Sequence, residues 1–491
     1  MSAAVFSGTP PSPIVVPPTE GHSMSTSRID DVLAHIDAHL DSARGRWFEL
    51  LRIPSISAQG LTETSPHRAD CLRAASHMRD LLAGMGFAAR LSETRGLPGV
   101  IATHHKAGPD APTVLYYGHY DVQPADPLDL WHSDPFDPQL VDHPEGPRVV
   151  ARGAVDDKGQ VMMVLEAVRA WLDVTGGLPV NLTVLLEGEE ECGSPSLAAM
   201  LEAERDALKA DFVLVADTNM WDRQTPAITT SLRGLAAVEV RISGPDRDLH
   251  SGLFGGPALN PIRALTRILG DLFDADGRIR IPGFYDGILD IPADVLASWR
   301  ATGFDEAAWL GGIGLARASG ERGFSVLEQN WARPTAEING IFGGYQGEGT
   351  KTVIPAEAGA KLTFRLVPGQ DPAKVVEGFK EFVNARLLPD AKARFEVHGA
   401  SAGLVVPVDL PFVRAARAAL EQEFGRKPVL AGCGASIPVV EAFERQLGLK
   451  TLLVGFGLDD DCIHSPNEKF EMRCFHRGMR AEARMLAAFA G

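Results

Sequence analysis

Residues 182–194 read LTVLLEGEEECGS, an apolar run with the texture of a β-strand that stops at three consecutive carboxylates, Glu189, Glu190 and Glu191. Adjacent acids repel one another and cannot be buried unpaired, so water must solvate them or cations must neutralise them. A solvated turn would explain one such run, but the pattern recurs. TVLYYGHYD places His119 and Asp121 just past a strand, VVARGAVDD ends in Asp156 and Asp157, and DFVLVAD ends in Asp217. Four apolar runs that end in cation ligands point to an α/β sheet, in which functional loops gather beyond the carboxyl ends of the strands.

His119 and Asp121 lie two residues apart in an extended stretch and therefore point to the same side. The histidine can bind a metal through one ring nitrogen while the aspartate accepts the other ring N–H and fixes the tautomer. The acids before Lys158 and Gly159 also suit the start of a helix over 160–171, where a carboxylate satisfies free amides and favours the dipole. His464, in GLDDDCIHSPNEKF, follows a further strand read in KTLLVGFG.

At 491 residues the chain is about three times a typical domain in length, so two domains are expected. Residues 1–26 read as a disordered leader whose proline-broken apolar pieces and missing basic stretch do not suit a signal peptide. Helical spacing follows over 29–53 and 69–86. From residue 234 the texture changes to the order βαββαβ, expected to form a two-layer α+β domain, with an ordered insertion over 277–333. From residue 402 the alternating pattern returns, ending in a helix over 477–490. The expected division is a catalytic αβα sandwich made of 27–233 and 402–491, with a lid and dimerisation domain, 234–401, inserted between its halves.

The net charge of −17 excludes a broad nucleic-acid surface, which needs clustered lysine and arginine. No apolar run approaches the ~20 residues that span a bilayer. Cys71, Cys192, Cys433, Cys462 and Cys474 are scattered, odd in number and free of CxxC spacing. That usage fits a reducing compartment, and a cytoplasmic location is expected.

Taken in order, YGHYDVQP, RGAVDDKG, EGEEECGS, VADTNMW, DLHSGLFGG, TVIP with RLVP, and IHSPNE resemble the motifs of the M20 metallopeptidases, in particular the branch of the carnosine-dipeptidase-like and bacterial broad-specificity dipeptidases. The resemblance extends from residue 29 to the C-terminus. It implies two divalent metal ions, zinc first and manganese second. One ion would lie between His119, Asp156 and Asp217, the other between Glu191, Asp156 and His464, with Asp156 bridging and a cis peptide after it. It also implies Glu190 as general base and Asp121 behind His119. His250 would reach the active site of a partner subunit to stabilise the oxyanion, which requires a homodimer. Arg365 would grip the substrate's terminal carboxylate, with Thr352 and Ser436 as further substrate contacts.

The implied reaction is hydrolysis of the peptide bond in dipeptides or short peptides with a free C-terminal carboxylate. A hydroxide formed between the two ions would attack, and Glu190 would carry the proton. One departure leaves a second substrate class open. Relatives carry Arg-Glu-Gly-Gly-Ser where this chain has Gly432, Cys433, Gly434, Ala435 and Ser436, so an acid able to pair with a free amino group is missing. An N-acyl amino acid would then be the substrate, unless Asp459, Asp460 or Asp461 compensates. A third expectation, an inactive homologue acting as a scaffold, sits poorly with the presence of all five metal ligands and the base.

Overall fold

A computed structural model describes residues 21–57, 65–434 and 437–491. A mixed sheet organises the larger part of the molecule. Its order across the described residues is Ala88–Ser92, Gly99–His104, Asn181–Glu187, Thr113–His119, Phe212–Val215, Thr451–Leu453, Ala227–Leu232 and Leu404–Val405, with Val429–Cys433 also pairing to Ala227–Leu232. The four strands from Asn181–Glu187 to Thr451–Leu453 run parallel. Every residue of Asn181–Glu187 is buried, as a strand covered on both faces requires, and apolar residues dominate it, with Val184, Leu185 and Leu186 in succession rather than alternating.

The helices Lys158–Thr175, Pro411–Phe424 and Met472–Phe489 supply much of that cover. One apolar core includes residues from Ile29 to Leu486 and draws on both stretches that flank 234–401. Residues 234–401 build a second core around a sheet ordered Thr335–Gly343, Glu357–Leu366, Gly234–Ser243 and Lys392–Ser401, all antiparallel. The helices Pro261–Gly270 and Pro372–Asn384 bury their apolar stripes on one face of that sheet, completing the βαββαβ order. Each begins in the way its sequence announces. Asn260 and Asp371 accept backbone amides of the first turn, and proline occupies the first helical position.

The stretch 277–333 is ordered and carries the helices Ala293–Ala301, Glu306–Gly312 and Val326–Trp331. Its tryptophans tie it to the larger unit through a small apolar cluster of their own: Trp299 Nε1 donates to the carbonyl of Leu430 at 2.6 Å, and Trp331 packs edge-on against Trp221.

Three expectations need correction. A helix, Gly21–Ala38, already includes the last six residues assigned to the leader, while residues 1–20 lie outside the described residues. The C-terminal helix begins at Met472, five residues early, because the amphipathic pattern extends back to the buried Met472 and Phe475. The run ending in Asp156 is a strand only over Arg148–Val150 and belongs to a separate ribbon with Gln139–Val141 and Lys469–Glu471. Beyond Val150 the backbone amides of Gly153, Val155 and Asp156 turn to the buried carboxylate of Glu468, which removes them from any ladder.

Candidate metal centre

Three neighbouring parallel strands end side by side, and their ends deliver the chemistry. Thr113–His119 finishes on His119, Asn181–Glu187 leads to Glu190 and Glu191, and Phe212–Val215 leads to Asp217. Asp156 enters from the turn before Lys158–Thr175, and His464 enters from the loop after Thr451–Leu453. The peptide between Asp156 and Asp157 is cis, matching the expectation carried by the motif.

The two oxygens of Asp156 face different partners. Oδ1 lies 3.2 Å from His119 Nε2, and Oδ2 lies 3.0 Å from His464 Nε2. Asp217 Oδ2 stands 3.8 Å from His119 Nε2, and Glu191 Oε2 stands 3.1 Å from His464 Nε2. Two groups of donor atoms therefore meet at one shared carboxylate.

Asp157 competes for the first group, since its carboxylate lies within 4.8 Å of the donors of His119 and Asp217. Its Oδ2, however, accepts the backbone N–H of His119 at 3.2 Å. That bond uses one oxygen of Asp157 to hold the strand end and leaves its buried Oδ1 without a hydrogen-bond partner, whereas Asp156 faces both imidazoles.

The ring of His119 is fixed from behind. Its Nδ1 lies 3.0 Å from the carbonyl oxygen of Asp121 and 3.3 Å from that residue's carboxylate, so the backbone is the nearer acceptor and the side chain the second. With the proton on Nδ1, Nε2 is left as a buried lone pair without a hydrogen-bond partner. Asp121 is itself held, its Oδ2 accepting the Ser57 hydroxyl at 2.6 Å and the Glu191 amide at 3.1 Å. Gln123 Nε2 donates to Glu191 Oε2 at 2.8 Å.

The electrostatics make this cluster costly without cations. Burial, then repulsion from Asp156, pushes Asp217 up to about 7. Burial also drives Glu190 and Asp157 well above the usual carboxylate range, and Asp217 adds repulsion to both. Burial would lower His119, yet the neighbouring carboxylates of Asp121 and Asp156 outweigh that and hold it well above an ordinary histidine. Hydrogen bonds to Asp156 and Glu191 raise His464 to about 10. Crowded buried acids around an unpartnered imidazole nitrogen fit divalent cations, and a donor set of oxygen and nitrogen without thiolate suits zinc or manganese.

Other anticipated residues lie elsewhere. Glu190 stands beside the cluster, within the field of His119, Asp217, Asp156 and Glu191. His250 is exposed on a short ribbon of the inserted sheet unit, pairing with Val353, and Ser251 donates its amide to the carbonyl of Thr352 at 3.0 Å. Arg365 lines a cleft of about 910 Å³ together with Arg233, Thr335 and Glu337. His250, Thr352 and Arg365 belong to neither ligand group. Ser436 lies outside the described residues. Sequence reasoning missed Asp157 as the strand-end anchor, although the Asp-Asp pair signalled it. It also missed Ser57 and Gln123, for which one sequence offers no signal.

Residues 115–488 match the family described as Peptidase family M20/M25/M40. The chain belongs to that family. Among M20 relatives, the human Beta-Ala-His dipeptidase is 30% identical over 479 residues, covering 94% of this chain and 92% of its own length. The Cys-Gly metallodipeptidase of Schizosaccharomyces pombe is 33% identical over 390 residues, 78% of this chain and 81% of its own. The structure of a dipeptidase from Saccharomyces cerevisiae superposes with a TM-score of 0.80 at 28% identity, covering 94% of this chain and 98% of that one. The protein is thus an M20 peptidase with an α/β fold. Among its described residues, no helix is long and apolar enough to cross a membrane.

Proposed function

We propose that this M20 peptidase hydrolyses the peptide bond of dipeptides and short peptides that carry a free C-terminal carboxylate. In this reading two divalent cations, zinc first and manganese second, are held by His119, Asp156 and Asp217 and by Glu191, Asp156 and His464. The observation that carries it is the divided carboxylate of Asp156, with one oxygen toward each imidazole. When bound, such cations polarise the scissile carbonyl and bring the pKa of a water toward neutrality.

The chain's own residues do the rest. Glu190, set beside the cluster but outside both ligand groups, takes the attacking water's proton and returns it to the leaving amine. Asp121 keeps His119 in the tautomer that leaves Nε2 free. Arg365 offers a guanidinium fork to the terminal carboxylate, a pairing that fixes register as well as charge. Thr352 and Ser436 contribute further substrate contacts. His250 acts on the oxyanion of a second copy, which makes the working form a homodimer, and the exposed Leu253 and Phe254 beside it suit such a contact. Five cysteines that form no disulfide support a reducing, cytoplasmic setting.

A second substrate class keeps one specific observation in its favour. The acids offered as substitutes for the missing glutamate are largely engaged: Asp460 pairs with Arg223 at 2.6 Å, and Asp461 pairs with Lys469 at 2.5 Å. Near Gly434 stands Arg233, donating to its carbonyl at 2.8 Å, rather than an acid. That environment suits N-acyl amino acids. Assays of Ala-Ala-type dipeptides against their N-acetyl counterparts, with zinc or manganese restored after chelation, separate the two. Activity confined to the capped compounds would replace the dipeptidase reading by a deacylase, and full activity after exhaustive chelation would end both.

A further inference from the structure

Glu468 is fully buried, and its two oxygens accept four hydrogen bonds from a single turn. Oε2 accepts Nη1–H of Arg152 at 2.7 Å and the Gly153 amide at 3.0 Å. Oε1 accepts the amides of Val155 at 3.0 Å and Asp156 at 3.1 Å. The main chain repeats the link, since the Ala151 amide donates to the carbonyl of Glu468 at 3.1 Å and the strand Lys469–Glu471 pairs with Arg148–Val150. Glu468 thus grips the segment that presents Asp156 while standing four residues after His464.

The loop before it needs holding. Cys462, His464 and Asn467 adopt left-handed backbone, with φ of 56°, 59° and 63°, which non-glycine residues keep only where their surroundings enforce it. Asn467 supplies one anchor, accepting the His132 amide at 2.8 Å and donating to the carbonyl of Leu130 at 2.9 Å. Lys469 supplies another through Asp461.

We infer that Glu468 is a positioning residue that joins the Asp156 turn to the His464 loop, so that both metal-binding groups form as one unit. This rests on the reading of Asp156 and His464 as ligands. Asp156 serves both groups, so a shift of its turn relative to His464 disturbs both at once. Glutamine at 468 keeps the volume but presents one oxygen, and its amide nitrogen meets N–H groups that need acceptors. Aspartate keeps the charge but withdraws it by one methylene from the amides.

Zinc affinity is measured for the metal-stripped protein by competition with a chromophoric chelator, together with thermal stability in excess chelator and kcat at saturating zinc. Glu468→Gln is expected to weaken zinc binding at both sites by about 10- to 100-fold, the range for groups that orient ligands, and Glu468→Asp by less. At saturating zinc most of kcat should return. Should the glutamine variant fail to fold, the aspartate variant decides. Wild-type zinc affinity at both sites in a folded variant, even with lowered stability without metal, would reduce Glu468 to a structural residue. A wild-type protein that takes up no zinc would instead remove the metal-centre reading beneath it.

Discussion

Asp156 and Glu190 are both acids at the same candidate centre, yet they stand differently in it. Asp156 touches an imidazole with each oxygen, while Glu190 lies outside both ligand groups and close enough to feel their charges. Glu190→Gln should therefore lower kcat by roughly 10²- to 10⁴-fold, the usual worth of a general acid–base group, with the metal content unchanged. Loss of metal in that variant would make Glu190 a ligand and leave the base unassigned. Asp156→Asn should do the reverse and empty both positions, because its amide offers one oxygen where two are used. Glu191→Gln touches only the His464 group and should leave the other ion in place. Elemental analysis after dialysis distinguishes these outcomes, and equal loss in the two variants would argue against a shared carboxylate.

At the scale of elements, the C-terminal helix Met472–Phe489 hides an acid in the core. Glu482 is fully buried with neither carboxylate oxygen hydrogen-bonded, and burial pushes its pKa up to about 8 from an ordinary 4.5. Below about 4.5 the group is protonated in folded and unfolded chains alike and contributes nothing to pH dependence. Between 4.5 and 8 the folded protein keeps a proton that the unfolded chain releases, so stability falls as pH rises, and above 8 the loss levels off. Glu482→Gln should remove that slope and gain roughly 1–4 kcal/mol at pH 8 and above. Denaturant unfolding at several pH values checks this, and a gain that is the same at pH 4 and pH 8 would refute it. The helix itself was legible, since its buried face repeats at helical spacing, but its start was misjudged by five residues. Periodicity also gave the βαββαβ order and the strands ending at His119, Glu191 and Asp217. It failed at Asp156, where a buried carboxylate more than 300 residues away captures the backbone and ends the strand early. Ser57 and Gln123 were beyond reach for the same reason, because their partners are neighbours in space alone.

At the scale of the whole molecule, the residues proposed to face the substrate are divided between two units. The candidate metal ligands and Glu190 lie outside 234–401, at strand ends of the large sheet and on the turn and loop of Asp156 and His464, whereas His250 stands exposed on the inserted unit and joins neither ligand group. Mixing two inactive variants distinguishes a His250 that serves its own centre from one that serves another's. If it serves a partner, Glu190→Ala and His250→Ala are each inactive as homodimers. In a mixed dimer, the subunit lacking His250 keeps its Glu190 and receives an intact histidine from its neighbour. One of its two sites is then whole. Random exchange makes half of the dimers mixed, so about a quarter of wild-type activity should return on co-expression, with the oxyanion contribution of His250 restored in full at each repaired site. If His250 works within its own chain, every site in the mixture lacks one of the two residues and no activity returns. Purification through two different tags raises the expectation for the isolated mixed dimer to half of wild type. Recovery at that level with wild-type KM would establish that the active site is assembled from two copies, and failure to recover would return the inserted unit to the role of a lid acting on its own chain.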